Sequence, residues 1–260
     1  MIIRLADLDV RWDFKNTDFV SLFSLEDETK SDPIISISDN VPFGECHGLQ
    51  FVQTASDHVL KRSLTAVETL CADKEWTQAN IYCENYCDPN FTLPLAALCS
   101  RFADFKTILL HGSFVEYNGN GIVFTGYSGI GKTTQAQLWK KYLGADIING
   151  DKVFLREIDK RVYAYGLPWK GSSSYCLNKK APLKAVIVLR QAKENKIRKL
   201  TETECMEFFM PHIFLSHWDE RCLQHTLDTF ESVLRKVSVW LLECRPDEEA
   251  VKLTREIVLK

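Results

Sequence analysis

The chain has no surplus of positive charge: 32 Lys and Arg stand against 35 Asp and Glu in 260 residues, a formal net charge of −3. A nucleic-acid partner, which needs a basic face to neutralise phosphates, is therefore not expected. No apolar run reaches the roughly 18–20 residues of a membrane span, so no membrane partner is expected either. Met1-Ile2-Ile3-Arg4-Leu5-Ala6-Asp7 meets an acid too early for a signal-peptide core, and a soluble, cytoplasmic protein is the expectation. Internal repeats and low-complexity linkers are also missing. Nine cysteines are scattered without a C-x-x-C pair; only Cys83 and Cys87 lie close, and no second close pair completes a zinc site. They read as reduced, small core residues. His212 and His217 are five apart, on different faces of a helix, and make no metal pair.

What is present is ordinary for a globular chain with a substantial core: 45% hydrophobic and 26% charged residues, in a length that fits one large or two modest domains. The first ~95 residues alternate short strand-like runs with polar turns: Ile2 to Leu8, Ile34 to Ile37, Phe51 to Ser56 and Asn80 to Tyr86. Ser63 to Leu70 and Leu95 to Phe105 read as helices. The expectation is a small α+β domain over 1–99 and a second domain over 100–260. In the second, strands are expected at Thr107 to His111, Phe114 to Tyr117, Ile147-Ile148, Val153 to Glu157, Val162 to Tyr165, Ala185 to Leu189 and Val237 to Leu242. Helices are expected near 203–213, 219–235 and 247–259.

The most informative stretch is Gly126-Tyr127-Ser128-Gly129-Ile130-Gly131-Lys132-Thr133, which fits G-x-x-x-x-G-K-[ST], the phosphate-binding loop. Glycines let consecutive backbone N–H groups turn toward one anion. Lys132 would place its ammonium on the β- and γ-phosphates, and the Thr133 hydroxyl would ligate Mg²⁺. The flanks agree. Gly121-Ile122-Val123-Phe124-Thr125 reads as a buried strand, and Thr134 to Leu143 has Ala136, Trp139 and Leu143 at helical spacing before a stop at Gly144. The helix start adds its own N–H groups and dipole to the anion site. Asn118-Gly119-Asn120-Gly121 is a hairpin turn leading into the loop strand, an entry that points to a mixed rather than a parallel sheet.

Phosphoryl transfer also needs a carboxylate to hold Mg²⁺ or steer the attacking hydroxyl. Asp151, after Ile147-Ile148 and one helix beyond the loop, is the candidate, on a second strand expected beside the loop strand. His111 ends an apolar run one hairpin before the loop and could lie beside the phosphates. Lys152 neighbours Asp151, but successive strand residues face opposite ways, so both reach one ligand only across a bend. Gly166-Leu167-Pro168-Trp169-Lys170-Gly171-Ser172-Ser173-Ser174 reads either as a loop over the site, with Lys170 in reach of phosphate, or as a surface connection anchored by Trp169. Arg190, at the end of a strand, is a further charge candidate.

These residues together resemble the C-terminal domain of HPr kinase/phosphorylase and, more closely, the bacterial HPr-kinase-related proteins. The carriers are His111-Gly112, the Gly126 to Thr133 loop, Asp151, Gly166-Leu167-Pro168-Trp169 and the terminal Trp240 to Ala250 segment, within about residues 100–260. The resemblance implies an α/β PEP-carboxykinase-like P-loop fold with a mixed sheet, and ATP- and Mg²⁺-dependent phosphorylation of a serine hydroxyl. It implies Asp151, His111 and Lys132 as catalytic residues, and Thr133 and Asp151 as metal ligands. Gly126, Ser128, Gly129, Ile130, Gly131, Lys132, Thr133 and Thr134 would hold the nucleotide. A homo-oligomer is implied as well. Two departures stand out. The family usually has two consecutive aspartates where this chain has Gly150-Asp151, and the segment that engages HPr is not recognisable. The acceptor is therefore expected to be a hydroxyl of another peptide, protein or metabolite. The alternative, motivated by Gly150, is a nucleotide-binding sensor or partner module with little turnover.

Overall fold

Apolar–polar alternation in the N-terminal region becomes strand in the computed structural model, which describes residues 1–14, 17–40, 52–53, 57–61, 68–83 and 92–260. The chain divides into two units: Met1–Phe105 with Ser216–Gln224, and Lys106–Leu215 with His225–Lys260. The boundary expected at 99/100 thus falls after Phe105, and a short distant segment joins the first unit.

In the first unit, β1 (Ile2–Leu5) and β2 (Leu8–Asp13) form an antiparallel hairpin. The single strand expected over Ile2 to Leu8 is corrected: Ala6 and Asp7 turn the chain with φ of 52° and 58°, a left-handed turn without a glycine to signal it. Then come β3 (Ile35–Asn40), β4 (Val52–Gln53), β5 (Asp57–Lys61), β6 (Glu68–Asp73), β7 (Gln78–Cys83) and α1 (Thr92–Ala103). Among the described residues the sheet order is β1-β2-β3-β7-β6-β5-β4, with β3 parallel to both β2 and β7. The helix expected over 63–70 is overturned from Glu68 onward, where β6 begins; 63–67 lie outside the described residues. So do Phe51, 54–56 and 84–86 of two expected strands, and Cys46 and Cys87. Ile3, Val10, Trp12, Ile35, Ile37, Leu70 and Trp76 are buried in this unit.

The second unit holds β8 (Thr107–Tyr117), β9 (Asn120–Thr125), α2 (Lys132–Leu143), β10 (Asp146–Asn149), β11 (Lys152–Ile158) and β12 (Arg161–Tyr165). After these come β13 (Lys180–Gln191), β14 (Lys196–Lys199), α3 (Glu202–Phe208), α4 (Glu220–Lys236), β15 (Ser238–Cys244) and α5 (Glu248–Val258). The first turn of α4 groups with the first unit. The two strands expected at 107–111 and 114–117 are one long strand, β8. Its first half pairs with β11, and its second half lies between β10 and β9. β9, β13 and β15 run parallel, and the rest of the ladder is antiparallel, so the sheet is mixed. The pairing β8–β11–β12–β13–β9 returns to β8 and closes on itself. Asn118 and Gly119 take φ of 50° and 75° in the β8–β9 turn, as that dipeptide requires.

One face of this sheet packs Phe124, Ile122, Ile187 and Leu189 against α2 and α5 through Ala136, Trp139, Ala250 and Val251. Trp139 is fully buried, its ring 5.8 Å from that of Phe124. The other face packs Leu110, Val123, Val153 and Val186 against Phe209, Phe230 and Val233. α2 is thus seated on the sheet by its apolar stripe, which fixes the direction of its N-terminus. Gly144, at φ 72°, ends it. Among the described residues no helix is long and apolar enough to cross a membrane.

Candidate functional site

The loop between β9 and α2 is built by backbone that side-chain-bearing residues rarely adopt: φ is 141° at Gly126, 76° at Gly129 and 112° at Gly131. Gly131 is the N-cap of α2, with no side chain capping it among the described residues, and the space where Cβ atoms of Gly129 and Gly131 would stand is open. The N–H groups of the first turn therefore lack the usual side-chain acceptor. Lys132 is only 8% exposed. Its Nζ donates to the carbonyls of Gly126 (3.0 Å) and Tyr127 (3.1 Å). Burial pulls its ammonium below the ordinary lysine range, and the charge of Asp151 works against that pull.

Asp151 arrives by a route the sequence did not suggest. Its strand was expected beside the loop strand, but β8 separates β10 from β9. The connection is made through Gly150 instead. Its carbonyl accepts from Thr133 Oγ1 (3.1 Å) and Ser113 Oγ (2.8 Å), which ties the β10–β11 turn to the first turn of α2. His111 Nε2 lies 3.2 Å from Asp151 Oδ1, and Lys152 Nζ donates to Oδ2. The bend that Lys152 needed exists: Asp151 lies in the turn between β10, which ends at Asn149, and β11, which starts at Lys152, so strand alternation does not separate the two side chains. Burial pushes the Asp151 carboxyl up, but the hydrogen bonds and charges of His111 and Lys152 outweigh it and hold the carboxyl at about 2. A carboxylate held so low is a weak proton acceptor at neutral pH and a good holder of cations.

Asn149 is the residue that sequence reasoning missed. It is fully buried, its Oδ1 accepts from the N–H groups of Asp151 (2.9 Å) and Lys152 (3.0 Å), and its Nδ2 donates to the carbonyls of Leu167 (2.6 Å) and Trp169 (3.3 Å). One amide thus fixes both the Asp151 turn and the start of the 166–174 loop. The composition Asn149-Gly150-Asp151 hides this role, because a turn asparagine and a buried organiser look alike in sequence.

The 166–174 loop lies over the site. Lys170, Ser172 and Ser173 line a cavity of about 260 Å³ with His111, Ser128, Gly129, Gly131, Lys132, Thr133, Thr134, Gly150 and Asp151. Gly126 and Ile130 do not line it; a Cβ on Gly126 would stand 3.0 Å from Ile130 Cγ2 and 3.3 Å from the Leu189 carbonyl, so both serve the loop's packing. Arg190 also lies outside the lining, paired with Glu243 (3.4 Å) and set over the Phe208 ring. His212, for which sequence offered no role, is buried edge-on to Tyr127 with ring centroids 5.2 Å apart. Burial, then the nearby His111 and Lys132, push its imidazole below the ordinary range and keep it neutral.

No protein-family model matches the chain. No curated protein matches it either. Among solved structures, the HPr(Ser) kinase/phosphatase from Coxiella burnetii aligns with 58% of this chain and 99% of that one, at 12% identity and a TM-score of 0.35. That likeness is distant, and the reading of the site rests on its own geometry.

Proposed function

We propose that the second unit binds ATP with Mg²⁺ at the 126–134 loop and transfers the γ-phosphoryl group to a hydroxyl, the acceptor being a serine side chain of a peptide or protein or a hydroxylated metabolite. The supporting observation is the placement of Lys132. Among the described residues this buried ammonium has only two loop carbonyls as hydrogen-bond partners, and it opens onto the same cavity as the uncapped start of α2. A polyphosphate would supply the anion that this cation and these N–H groups lack.

The residues also fit the metal. Mg²⁺ takes oxygen ligands, keeps most of its water, and needs only one or two protein groups beside the phosphates. Thr133 Oγ1 and the Asp151 carboxylate border the same cavity and are of that kind. When bound, the ion would neutralise charge on the β- and γ-oxygens. The chain's own residues do the rest. Lys132 would hold the β–γ region, Asp151 would help hold the ion or orient the acceptor hydroxyl, and His111 and Lys152 keep Asp151 ionised. The gain would come from positioning and electrostatics rather than covalent chemistry.

Lys132→Ala is expected to lower phosphoryl transfer by at least about a hundredfold while leaving the circular dichroism spectrum unchanged. An unchanged rate would sink the assignment. One observation favours a second reading, nucleotide binding with little turnover: Asp151 is already engaged by both His111 and Lys152, with no second carboxylate beside it at Gly150. Nucleotide binding that depends on Lys132, without transfer to any acceptor, would select that reading.

A further inference from the structure

Gly150 and Gly171 mark where the 166–174 loop presses on the site. A Cβ at Gly150 would stand 2.2 Å from Ser173 Oγ and 2.5 Å from Ser173 Cβ, so the side chain of Ser173 fills the place of any side chain at 150. A Cβ at Gly171 would stand 2.7 Å from Asp151 Cγ, so the backbone of Gly171 rests directly on the carboxylate. The loop therefore brings a serine hydroxyl of this chain against the very turn, Gly150-Asp151, whose carbonyl is bonded by Thr133. Ser173 is half-buried and lines the cavity with Lys132, Thr133 and Asp151, whereas Ser174 is exposed and outside the lining.

We infer that Ser173 is a phosphoacceptor for the chain's own site: the protein transfers the γ-phosphoryl group of ATP to Ser173 in cis. This inference rests on the kinase reading above and names an acceptor for it. In the step, Ser173 Oγ bonds to the γ-phosphorus while the bond from that phosphorus to the β–γ bridging oxygen breaks. ADP leaves with that electron pair, and the hydroxyl proton is released to solvent past the Asp151 carboxylate. In the structure the Ser173 hydroxyl donates to the Lys170 carbonyl at 2.8 Å. A χ1 rotation frees it, and the exposed turn at 170–172 lets the segment adjust. The tether supplies the acceptor at high effective concentration, the ordinary advantage of an intramolecular reaction. The product carries about −2 charge beside Asp151, so phosphate on Ser173 pushes the loop off the carboxylate rather than fastening it down.

The test uses the full chain, treated with phosphatase and then incubated with ATP and Mg²⁺, with phosphate mapped by peptide mass spectrometry. Lys132-dependent nucleotide binding is measured on the same samples with a fluorescent ATP analogue. The expected result is up to one phosphate per chain, on Ser173, at an initial rate per chain that is independent of protein concentration over a tenfold range. Lys132→Ala should reduce incorporation at least a hundredfold. Ser173→Ala should abolish it, and Ser174→Ala should leave it in place. Binding without phosphate on Ser173, phosphate only on other residues, or a rate per chain that rises with concentration would overturn the inference while leaving the kinase reading standing. Loss of Lys132-dependent binding altogether would overturn both.

Discussion

At the scale of single residues, two charges carry the account. Lys132 is buried with only carbonyls as hydrogen-bond partners among the described residues, an arrangement that favours binding an anion over the stability of the empty fold. Lys132→Met should therefore unfold at a temperature equal to or above that of the wild type in a thermal melt, yet lose the upward shift that MgATP gives the wild type. A variant that melts well below the wild type would contradict this reading of the lysine. Asp151 is the second charge. Its folded-state carboxyl is held at about 2, below the ordinary 3.8, so it contributes stability above the ordinary value that is lost as pH falls through the folded value. Asp151→Asn should cost about 2 kcal/mol in denaturant unfolding at pH 7. That difference should shrink as pH is lowered from about 4 toward 2; a pH-independent difference would mean that packing, not charge, is lost. That Lys132, Thr133 and Asp151 line one cavity was legible in sequence, because a phosphate site calls for a lysine, a hydroxyl and a carboxylate together. Asn149 and His212 were not, because their roles depend on burial and on neighbours far along the chain.

At the scale of elements, the strand–loop–helix unit was readable because each part has its own local signal: β-branched residues in β9, glycines in the loop, the apolar stripe of α2 and Gly144 at its end. Where such signals were missing, sequence reasoning failed. The β1–β2 turn uses Ala6 and Asp7 in left-handed backbone with no glycine. Glu68 to Leu70, the start of β6, read as the end of a helix because so short a run fits either period. The 166–174 loop kept two readings, and the structure contains parts of both: Trp169 is buried as an anchor, while Lys170, Ser172 and Ser173 line the cavity. Asn149 holds the start of the loop to the Asp151 turn. Asn149→Ala should leave two half-buried N–H groups and two buried carbonyls without that partner, for a loss of about 3 kcal/mol. Hydrogen exchange at the Asp151 and Lys152 amides should quicken by more than the exchange in β9. Uniform acceleration across the second unit would instead mean a global effect.

At the scale of the whole molecule, the two units are not a simple cut of the chain. Trp76 Nε1 donates to Asp219 (2.8 Å) and Trp218 Nε1 to Ser100 Oγ (3.0 Å), so the first unit takes part of its structure from residues more than a hundred positions away. Sequence reading placed a boundary near 99 because nothing local marks Ser216–Gln224 as belonging elsewhere. A fragment ending at Phe105 should therefore unfold at lower temperature than the first unit does within the full chain, and equal midpoints would contradict the assignment of 216–224. The second unit holds every residue of the proposed phosphate site, and the central claim is about its chemistry. The most direct test is transfer of label from γ-labelled ATP with Mg²⁺ by the full chain, alone and with a cell lysate, in parallel with Lys132→Ala. The account predicts label in a hydroxyl phosphoester that falls at least about a hundredfold in the variant. Label transfer unaffected by Lys132→Ala, or no binding of ATP by the wild type, would contradict it.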